Sequence, residues 1–382
     1  MTQALPPDAP HKPVWWDPLA PTRGTDGPAV DVFMAGTVFL DIVFTGLPTS
    51  PKAGTEVWAA GMASCPGGIA NLAVATSRLG LRTSLAAGFG DDVYGDFCWQ
   101  TLAGQERVDL SRSRRFAQWH SPVTVSMAVE RDRSMVTHGH ELPVAYDELI
   151  GRPPSCRAVI TSIGEGGGDA ALAEWVGVAR RRGALVFADA GWDPTGVWDR
   201  GLFAALRGCD VFMPNAVEAM SYTRTDSPRA ALHALAEHVP LAVVTCGGDG
   251  AIALDAATGD EAAVPALLVD ALDPTGAGDV FGAALVLGTI AGWPLRQRLL
   301  FAGVSAALAV QEFGGSLAAP GWGDIRDWWL GVRLRAAAGE PDAEVLRARY
   351  GFLDTVVPST HVCGVRRAVA TIARLGDLTR PA

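Results

Sequence analysis

The 382-residue chain is poor in lysine, because Lys12 and Lys52 are the two that it contains. A Walker A phosphate-binding loop needs a lysine directly after a glycine, and neither lysine follows one, so this class of nucleotide site is excluded. The H-R-D and D-F-G triplets of protein kinases are missing as well. Phosphoryl transfer by this chain would therefore depend on a helix N-terminus, a metal ion and arginines.

Positive charge clusters, cysteine pairs and long apolar runs are also lacking. The formal net charge of −10 argues against a large nucleic-acid interface, and the six cysteines include no C-x-x-C pair, which favours reduced thiols. The longest apolar run, residues 280–293, ends at Pro294 and is too short to span a bilayer. The first residues lack the basic-then-apolar pattern of a signal peptide. We therefore expect a cytoplasmic protein with small-molecule partners, and with neither nucleic-acid nor membrane partners.

Short β-branched runs alternate with helical segments along most of the chain, which predicts an α/β fold with a mostly parallel central sheet flanked by helices. Two stretches, within about residues 45–64 and 117–140, have a period of two and predict antiparallel strands outside that sheet. We expect a flexible proline-rich tail over residues 1–28 and one main domain over 29–320. Residues 321–382 are expected to form a helical extension of unknown role.

The segment "DPTGAGDVFGAALV", residues 273–286, combines an Asp-Pro turn, three small residues and a second acid, Asp279, before an apolar helix. Backbone N–H groups at such a helix start converge on an anion, and phosphate is the natural ligand. Asp279 is either a helix cap or a general base. A carboxylate beside a phosphate repels it, so a chemical role, the removal of a proton from an attacking hydroxyl, is favoured.

This segment resembles the C-terminal signature of the ribokinase-like (PfkB) family of carbohydrate kinases at every defined position. The resemblance extends over roughly residues 30–320 and implies a three-layer ribokinase-like fold with a small β-sheet lid. It implies that Asp279 is the catalytic base. It also implies that Gly276, Ala277 and Gly278 form an anion hole for the γ-phosphate of ATP.

Two further segments, "GTVFLDIVFTGLP" and "CPGGIANLAVATSRLG", resemble the substrate side of the same family. The resemblance implies that Asp41 and Asn71 bind sugar hydroxyls, and a carboxylate can accept two hydrogen bonds from a diol. It also implies that Gly67 and Gly68 are the flexible pair of the N-terminal signature. Pro66 and Ile69 stand where the family usually has small residues, so the substrate is left open.

The segments "PNAVE" and "TCGGDGA" match the phosphate side of the family. By resemblance, Glu218 would organise Mg²⁺ through water, Asn215 would lie near the phosphates, and the ATP loop would contain Thr245, Gly247 and Gly250. Taken alone, N-x-x-E is typical of a helix start, and "TCGGDGA" of an ordinary strand turn. The family often has a monovalent-cation site near "QEFGGSLAAP", so ATP, Mg²⁺ and K⁺ are the expected cofactors.

Two features depart from this pattern or fall outside it. Many family members carry D-x-N-x-R after the strand "ALVFADA", whereas this chain has residues 189–193 reading D-A-G-W-D. Trp192 or Trp198 either packs against a substrate ring or is buried. His138 and His140 form an H-x-H, which suits either metal ligands on a strand or solvent-facing lid residues, and the sequence indicates no third ligand.

The resemblance predicts phosphorylation of a sugar hydroxyl, a primary alcohol, with a nucleoside as the alternative acceptor within the class. Because lids in this family often pair between subunits, a homodimer is expected. Two other classes stay open. "GGGDAA" from Gly166, with Asp189 ending the next strand, fits a dinucleotide-binding dehydrogenase, and a non-catalytic sensor of sugar or nucleotide would keep the same binding segments.

Overall fold

The computed structural model describes residues 15–24, 27–129, 132–163, 172–191, 193, 195–360 and 362. Its strands, in chain order, are β1 (Val30–Ala35), β2 (Val38–Leu47), β3 (Gly61–Gly68), β4 (Thr83–Ala86), β5 (Gly88–Gly90), β6 (Arg114–Phe116), β7 (Val123–Val129), β8 (Asp132–His138), β9 (Cys156–Ser162), β10 (Leu185–Asp189), β11 (Val211–Phe212), β12 (Leu241–Thr245), β13 (Ala251–Asp255) and β14 (Glu261–Val264). Short β5 and β6 pair with each other.

The α-helices follow the strands along the chain. They are α1 (Ile69–Arg78), α2 (Val93–Gln100), α3 (Tyr146–Ile150), α4 (Glu174–Arg181), α5 (Leu202–Leu206), α6 (Ala216–Thr223), α7 (Pro228–Ala236), α8 (Ala277–Ile290), α9 (Leu295–Ala309), α10 (Gly315–Ala318), α11 (Trp322–Ala337), α12 (Pro341–Tyr350) and α13 (Leu353–Val356). None of those in the described residues combines the length and apolar composition needed to cross a membrane.

The central sheet of the described residues has the order β14-β13-β12-β11-β10-β9-β1-β4. Strands β4 to β12 in this order are parallel, and β13 and β14 close one edge as an antiparallel pair. The parallel strands coincide with short β-branched runs of the sequence, namely those in "AVDVFMAG", "RTSLAAG", "RAVITSIG", "ALVFADA", "DVFMPN" and "LAVVTCG". The prediction of a mostly parallel sheet is confirmed.

Helices cover both faces of this sheet because alternate strand residues point to opposite sides. Met34, Ile160 and Val243 belong to one buried cluster, with α1, α8, α9 and α11. Their neighbours Phe33 and Val159 belong to a second cluster, with α4, α5, α6 and α7. The strands are apolar on both faces, as expected for a sheet between two helical layers. This is the predicted three-layer α/β fold.

A separate four-stranded sheet, here called the lid sheet, has the order β3-β2-β7-β8. Strand β2 pairs antiparallel with β3 and parallel with β7, and β7 pairs antiparallel with β8. The first lid strand begins at Val38, earlier than the predicted start near residue 45, and β3 continues to Gly68. Pairing on both sides of β2 explains why it extends over ten residues.

Both ends of the described chain pack on the main body. Residues 15–24 belong to the segment predicted as a flexible tail, yet Leu19 is 1% exposed and Arg23 bridges Asp17 and Asp31. Trp322, at the start of α11, is 2% exposed and donates its indole N–H to the Leu79 carbonyl at 2.8 Å. These parts therefore share the core of the main body.

Candidate active site

A cavity of about 470 Å³ opens at the carboxyl ends of β1, β9 and β10, where α/β sheets bind ligands. Its polar lining residues come from separate segments of the chain, and one wall is aromatic. The lining includes Thr37, Phe39, Gly68, Ile69, Asn71, Leu72, Tyr146, Thr161, Ser162, Trp175, Asp189 and Asp279. Three residues expected from the sequence, Gly68, Asn71 and Asp279, therefore lie around one space.

Asn71 and Asp279 are in direct contact in this cavity. The Asn71 side-chain amide donates from Nδ2 to Oδ2 of Asp279 at 3.0 Å. Asn71 is 6% exposed, and its Oδ1 has no hydrogen-bond partner among the described residues. An unpaired buried acceptor is costly, and this oxygen lies against Gly315, where an added Cβ would be 2.6 Å from it.

The N-terminus of α8 places Asp279 through backbone geometry. Gly276, the residue before the helix, has φ = 75°, and a Cβ on it would lie 2.7 Å from Cα of Gly315. Glycine is therefore needed at 276, both for the left-handed backbone and for the close approach of α10. Ala277 begins the helix, Gly278 is exposed, and a Cβ added to Gly278 meets nothing within 4 Å among the described residues.

Asp273 fixes the loop before α8, a role that the sequence did not reveal. It is 4% exposed; its Oδ1 accepts from the backbone N–H of Thr275 at 2.9 Å, and its Oδ2 accepts from the Gly314 N–H at 3.0 Å. Asp273 thus joins the loop of α8 to the segment "GGSLAAP". The Asp-Pro turn was the signal, since aspartate often binds backbone N–H groups in turns.

Asp41 and Gly67 lie close together on the neighbouring strands β2 and β3 of the lid sheet. In the strand register Asp41 pairs with Cys65 of β3 and with Thr124 of β7. A Cβ at Gly67 would lie 1.8 Å from Oδ2 of Asp41, so the carboxylate occupies the space of the missing side chain. Asp41 is 9% exposed and is not among the residues lining the 470 Å³ cavity. Burial raises the pKa of the neighbouring Cys65 thiol to about 12, and Asp41 adds to the shift. Cys65 is therefore a neutral packing residue.

Asn215 and Glu218 form a reciprocal cap at the start of α6. Asn215 Oδ1 accepts from the Glu218 N–H at 3.0 Å, and Glu218 Oε2 accepts from the Asn215 N–H at 2.9 Å. The helix-start interpretation of N-x-x-E is thus what the geometry shows. Glu218 is 8% exposed, and burial raises the pKa of its carboxyl. A buried oxygen ligand with this desolvation cost fits a hard cation such as Mg²⁺.

The expected ATP loop lies beside this cap. Thr245 ends β12 and forms an isolated parallel bridge with Asn215, with its N–H donating to the Pro214 carbonyl at 3.1 Å. Gly247 has φ = 55° and is exposed, whereas Gly250 has φ = 102° and a Cβ there would lie 2.0 Å from the Val264 carbonyl. The two segments on the phosphate side therefore meet at the carboxyl ends of β11 and β12.

The structure adds side chains to the cavity that sequence reasoning did not assign. Tyr146 of α3 and Trp175 of α4 line its wall, and Asp189 lines it from the end of β10. For Asp189 the available signal was its position at the carboxyl end of a predicted parallel strand. Trp198 is 7% exposed and packs edge-on against Tyr222, as buried packing predicts. Trp192 and the "GGGDAA" segment lie outside the described residues.

The sequence of this chain matches the family model described as pfkB family carbohydrate kinase over residues 47–321. The chain belongs to this family of carbohydrate kinases. The match covers β3, β7 and β8 of the lid sheet, the cavity-lining residues from Gly68 onward and the α8 N-terminus. The dehydrogenase alternative is set aside because a single family model spans all of these elements.

Among curated relatives, this carbohydrate kinase is 28% identical to a nucleoside kinase of Methanothermobacter thermautotrophicus, over 68% of this chain and 82% of that one. It is 31% identical to a fructokinase of Klebsiella pneumoniae, over 69% and 91%. Its fold is similar to that of the Arabidopsis thaliana ribokinase solved with ribose and ATP, with a TM-score of 0.63, 22% identity and coverage of 77% and 96%. The ribokinase-like fold is confirmed.

Proposed function

We propose that this carbohydrate kinase transfers the γ-phosphoryl group of ATP to a sugar hydroxyl, a primary alcohol, with Asp279 as the general base. The observation that carries the proposal is the 3.0 Å hydrogen bond between Asn71 and Asp279 in the cavity. It joins the proposed acceptor side to the proposed phosphate side. A base must lie within hydrogen-bond reach of the hydroxyl that it deprotonates, and a hydroxyl held by Asn71 meets that condition.

The proton and phosphoryl steps follow from this placement. The acceptor O–H proton goes to the Asp279 carboxylate as the new O–P bond forms, and the bond between the γ-phosphorus and the ADP oxygen breaks. Gly276, Ala277 and Gly278 stand at the start of α8, where the first backbone N–H groups have no partner inside the helix and suit developing negative charge. The Ala277 N–H donates to the Pro274 carbonyl of the preceding turn at 3.2 Å. The open side of Gly278 allows the phosphate to approach the backbone.

Magnesium and ATP are assigned to the ends of β11 and β12. Glu218, through an oxygen not used in the Asn215 cap, would hold Mg²⁺ by way of water, and the ion would neutralise phosphate charge. Asn215, Thr245, Gly247 and Gly250 would border the nucleotide, since their segments meet at this edge. A monovalent cation near the "QEFGGSLAAP" segment stays a prediction.

The acceptor is proposed to contact Asn71, which lines the cavity, together with Asp41. A nucleoside is the second candidate, and the aromatic wall favours it: Phe39, Tyr146 and Trp175 line the same cavity as Asp279. The ribose of a nucleoside presents the same diol as a free sugar, so the base would distinguish the two. The curated nucleoside kinase relative supports testing both classes.

The test is ADP release from Mg·ATP across a panel of sugars, sugar acids, sugar phosphates and nucleosides. Wild type is compared with Asp279→Asn and with Asp270→Asn, a matched control at an exposed aspartate nine residues earlier. We expect acceptor-dependent ADP, a kcat lowered roughly 10²- to 10⁴-fold in Asp279→Asn, and unchanged turnover in the control. Near-normal turnover of Asp279→Asn would refute the base.

One outcome of this test would point away from catalysis. If no compound stimulates ADP release while Mg·ATP still binds, the sensor alternative gains support.

The expected homodimer draws support from β8, an edge strand of the lid sheet on which Met135 and Val136 are 54% and 63% exposed. Light scattering on Val136→Glu should then give a smaller particle than wild type.

A further inference from the structure

Three histidines converge at one end of the lid sheet. The imidazole rings of His120, His138 and His140 have centroids 5.1 to 5.7 Å apart. One ring nitrogen from each can be chosen so that all three lie within 4.8 Å of one another, and all three side chains are exposed. The third ligand that the H-x-H pattern lacked is therefore His120, eighteen residues before His138.

The backbone around these three residues, called the histidine cluster below, brings the rings together. His138 is the last residue of β8 and pairs with Val123, the first residue of β7. A Cβ at Gly139 would lie 2.9 Å from Cβ of Pro122, so glycine allows the two segments to approach closely. The cluster thus spans the open end of the β7–β8 hairpin.

Both sequence neighbours of His120 form hydrogen bonds with other segments. Trp119 donates its indole N–H to the Glu141 carbonyl at 2.9 Å, which links the segment before β7 to the residue after His140. The Ser121 N–H donates to Oδ2 of Asp92 at 2.7 Å. The backbone that carries the three rings is therefore fixed before any ion binds, which lowers the ordering cost of binding.

The chemistry of three neutral imidazoles selects the kind of ion. Zn²⁺ binds histidine nitrogens at about 2.0–2.1 Å with tetrahedral geometry, so the ligand nitrogens around one ion lie about 3.3–3.4 Å apart. The ring nitrogens, now within 4.8 Å of one another, need to close by up to about 1.5 Å, which rotation of the exposed side chains supplies. Imidazole suits Zn²⁺, Cu²⁺ and Ni²⁺, whereas Mg²⁺ prefers oxygen ligands. The set is thus unlike the Glu218 region.

We propose that His120, His138 and His140 bind one transition-metal ion, Zn²⁺, with water completing the coordination. Bound there, the ion closes the hairpin end and stiffens the lid sheet. Val123 pairs with both His138 and Leu40, and Leu40 precedes Asp41. The ion would therefore hold the strand row adjacent to Asp41, two strands away.

Metal binding is measured on the full chain after removal of metal with a chelator. Co²⁺ titration, followed by its visible absorption, reports the ligand set, and competition with Zn²⁺ gives the affinity. We expect one ion per chain for wild type, and affinity at least tenfold weaker in His120→Asn, His138→Asn and His140→Asn. His233→Asn is the matched control, because His233 lies near Glu261, outside the cluster.

A second readout separates this site from other histidines. Hydrogen exchange over residues 119–141 should slow when Zn²⁺ is added to wild type, and should not change in His138→Asn. The proposal is overturned if wild type shows no saturable binding below about 100 μM. It is equally overturned if binding survives all three cluster substitutions, or disappears instead in His11→Asn or His361→Asn.

Discussion

The two halves of the candidate site are held by contacts of very different range. On the acceptor side, Asn71 reaches Asp279 across 208 residues of sequence, and Arg78 reaches Leu317 across 239. On the phosphate side, Asn215 and Glu218 cap each other across three residues. The Asn215–Glu218 cap therefore depends on local sequence, whereas the contact between Asn71 and Asp279 exists only when the whole domain is folded.

Breaking the long-range side at Arg78 should have the largest effect on stability. Arg78 is 4% exposed, binds both carboxylate oxygens of Glu106, and donates to the carbonyls of Leu317 and Ala319. Arg78→Met leaves Glu106 buried without its cation, so unfolding free energy should fall by about 3–5 kcal/mol. Urea unfolding measures it. The exposed pair of Arg333 and Asp354 is the control, and Arg333→Met should cost under about 1 kcal/mol.

Alanine substitutions at the two glycines of the α8 N-terminus should have different effects, one on stability and the other on catalysis. Gly276→Ala forces a side chain into φ = 75° and against Gly315, so it should destabilise the fold by roughly 1–3 kcal/mol. Gly278→Ala adds a methyl group to open space and should leave the melting temperature unchanged. If Gly278 borders the phosphate, this second variant raises the KM for ATP or lowers kcat. Equal stability losses in both variants would contradict this assignment.

A charge placed at Asn71 should disturb the acceptor side without unfolding it. In Asn71→Asp a second carboxylate faces Asp279 where the 3.0 Å hydrogen bond now lies. Like charges at this range keep one proton between them, so kcat near neutral pH should fall at least about tenfold and the acid limb of its pH profile should move upward. Asn71→Ala removes the bond without the charge. Loss of this donor alone should move the limb upward by less than the added charge does, so an equal move in Asn71→Ala would refute the electrostatic explanation.

Changing Glu218 in the local cap should have the smallest effect, and we expect to see it in the pH dependence of the unfolding free energy. Burial raises the pKa of Glu218 from 4.5, so the folded state holds this proton more tightly than the unfolded state does. The cost of burying the ionised form is present above the raised pKa and is relieved as the pH falls through it toward 4.5. Wild type should therefore gain stability relative to Glu218→Gln over that interval. Unfolding in urea between neutral pH and pH 4.5 measures the difference, and a constant difference would contradict the shift.

Much of the fold could be predicted because its signals are local. The parallel strands are apolar runs, and α8 follows directly from the apolar segment after "GAGD". The partner of Asp279, the buried ligands of Arg78 and the third histidine could not be predicted. Each depends on which surfaces meet after folding, and a single sequence carries no distance information about such pairs, whether 28 residues separate them, as for Arg78 and Glu106, or 208, as for Asn71 and Asp279. The early start of β2 at Val38 likewise depends on pairing with β3 and β7.

The overlap between Gly67 and Asp41 has a consequence for the range of sequences that this fold accepts. Because a Cβ at residue 67 would fall 1.8 Å from the Asp41 carboxylate, the two positions behave as one unit with a shared volume. In a library randomised at both, folded clones that keep aspartate at 41 should keep glycine at 67. Clones with alanine or glycine at 41 should accept small side chains at 67, so the sequence at these two positions changes in pairs.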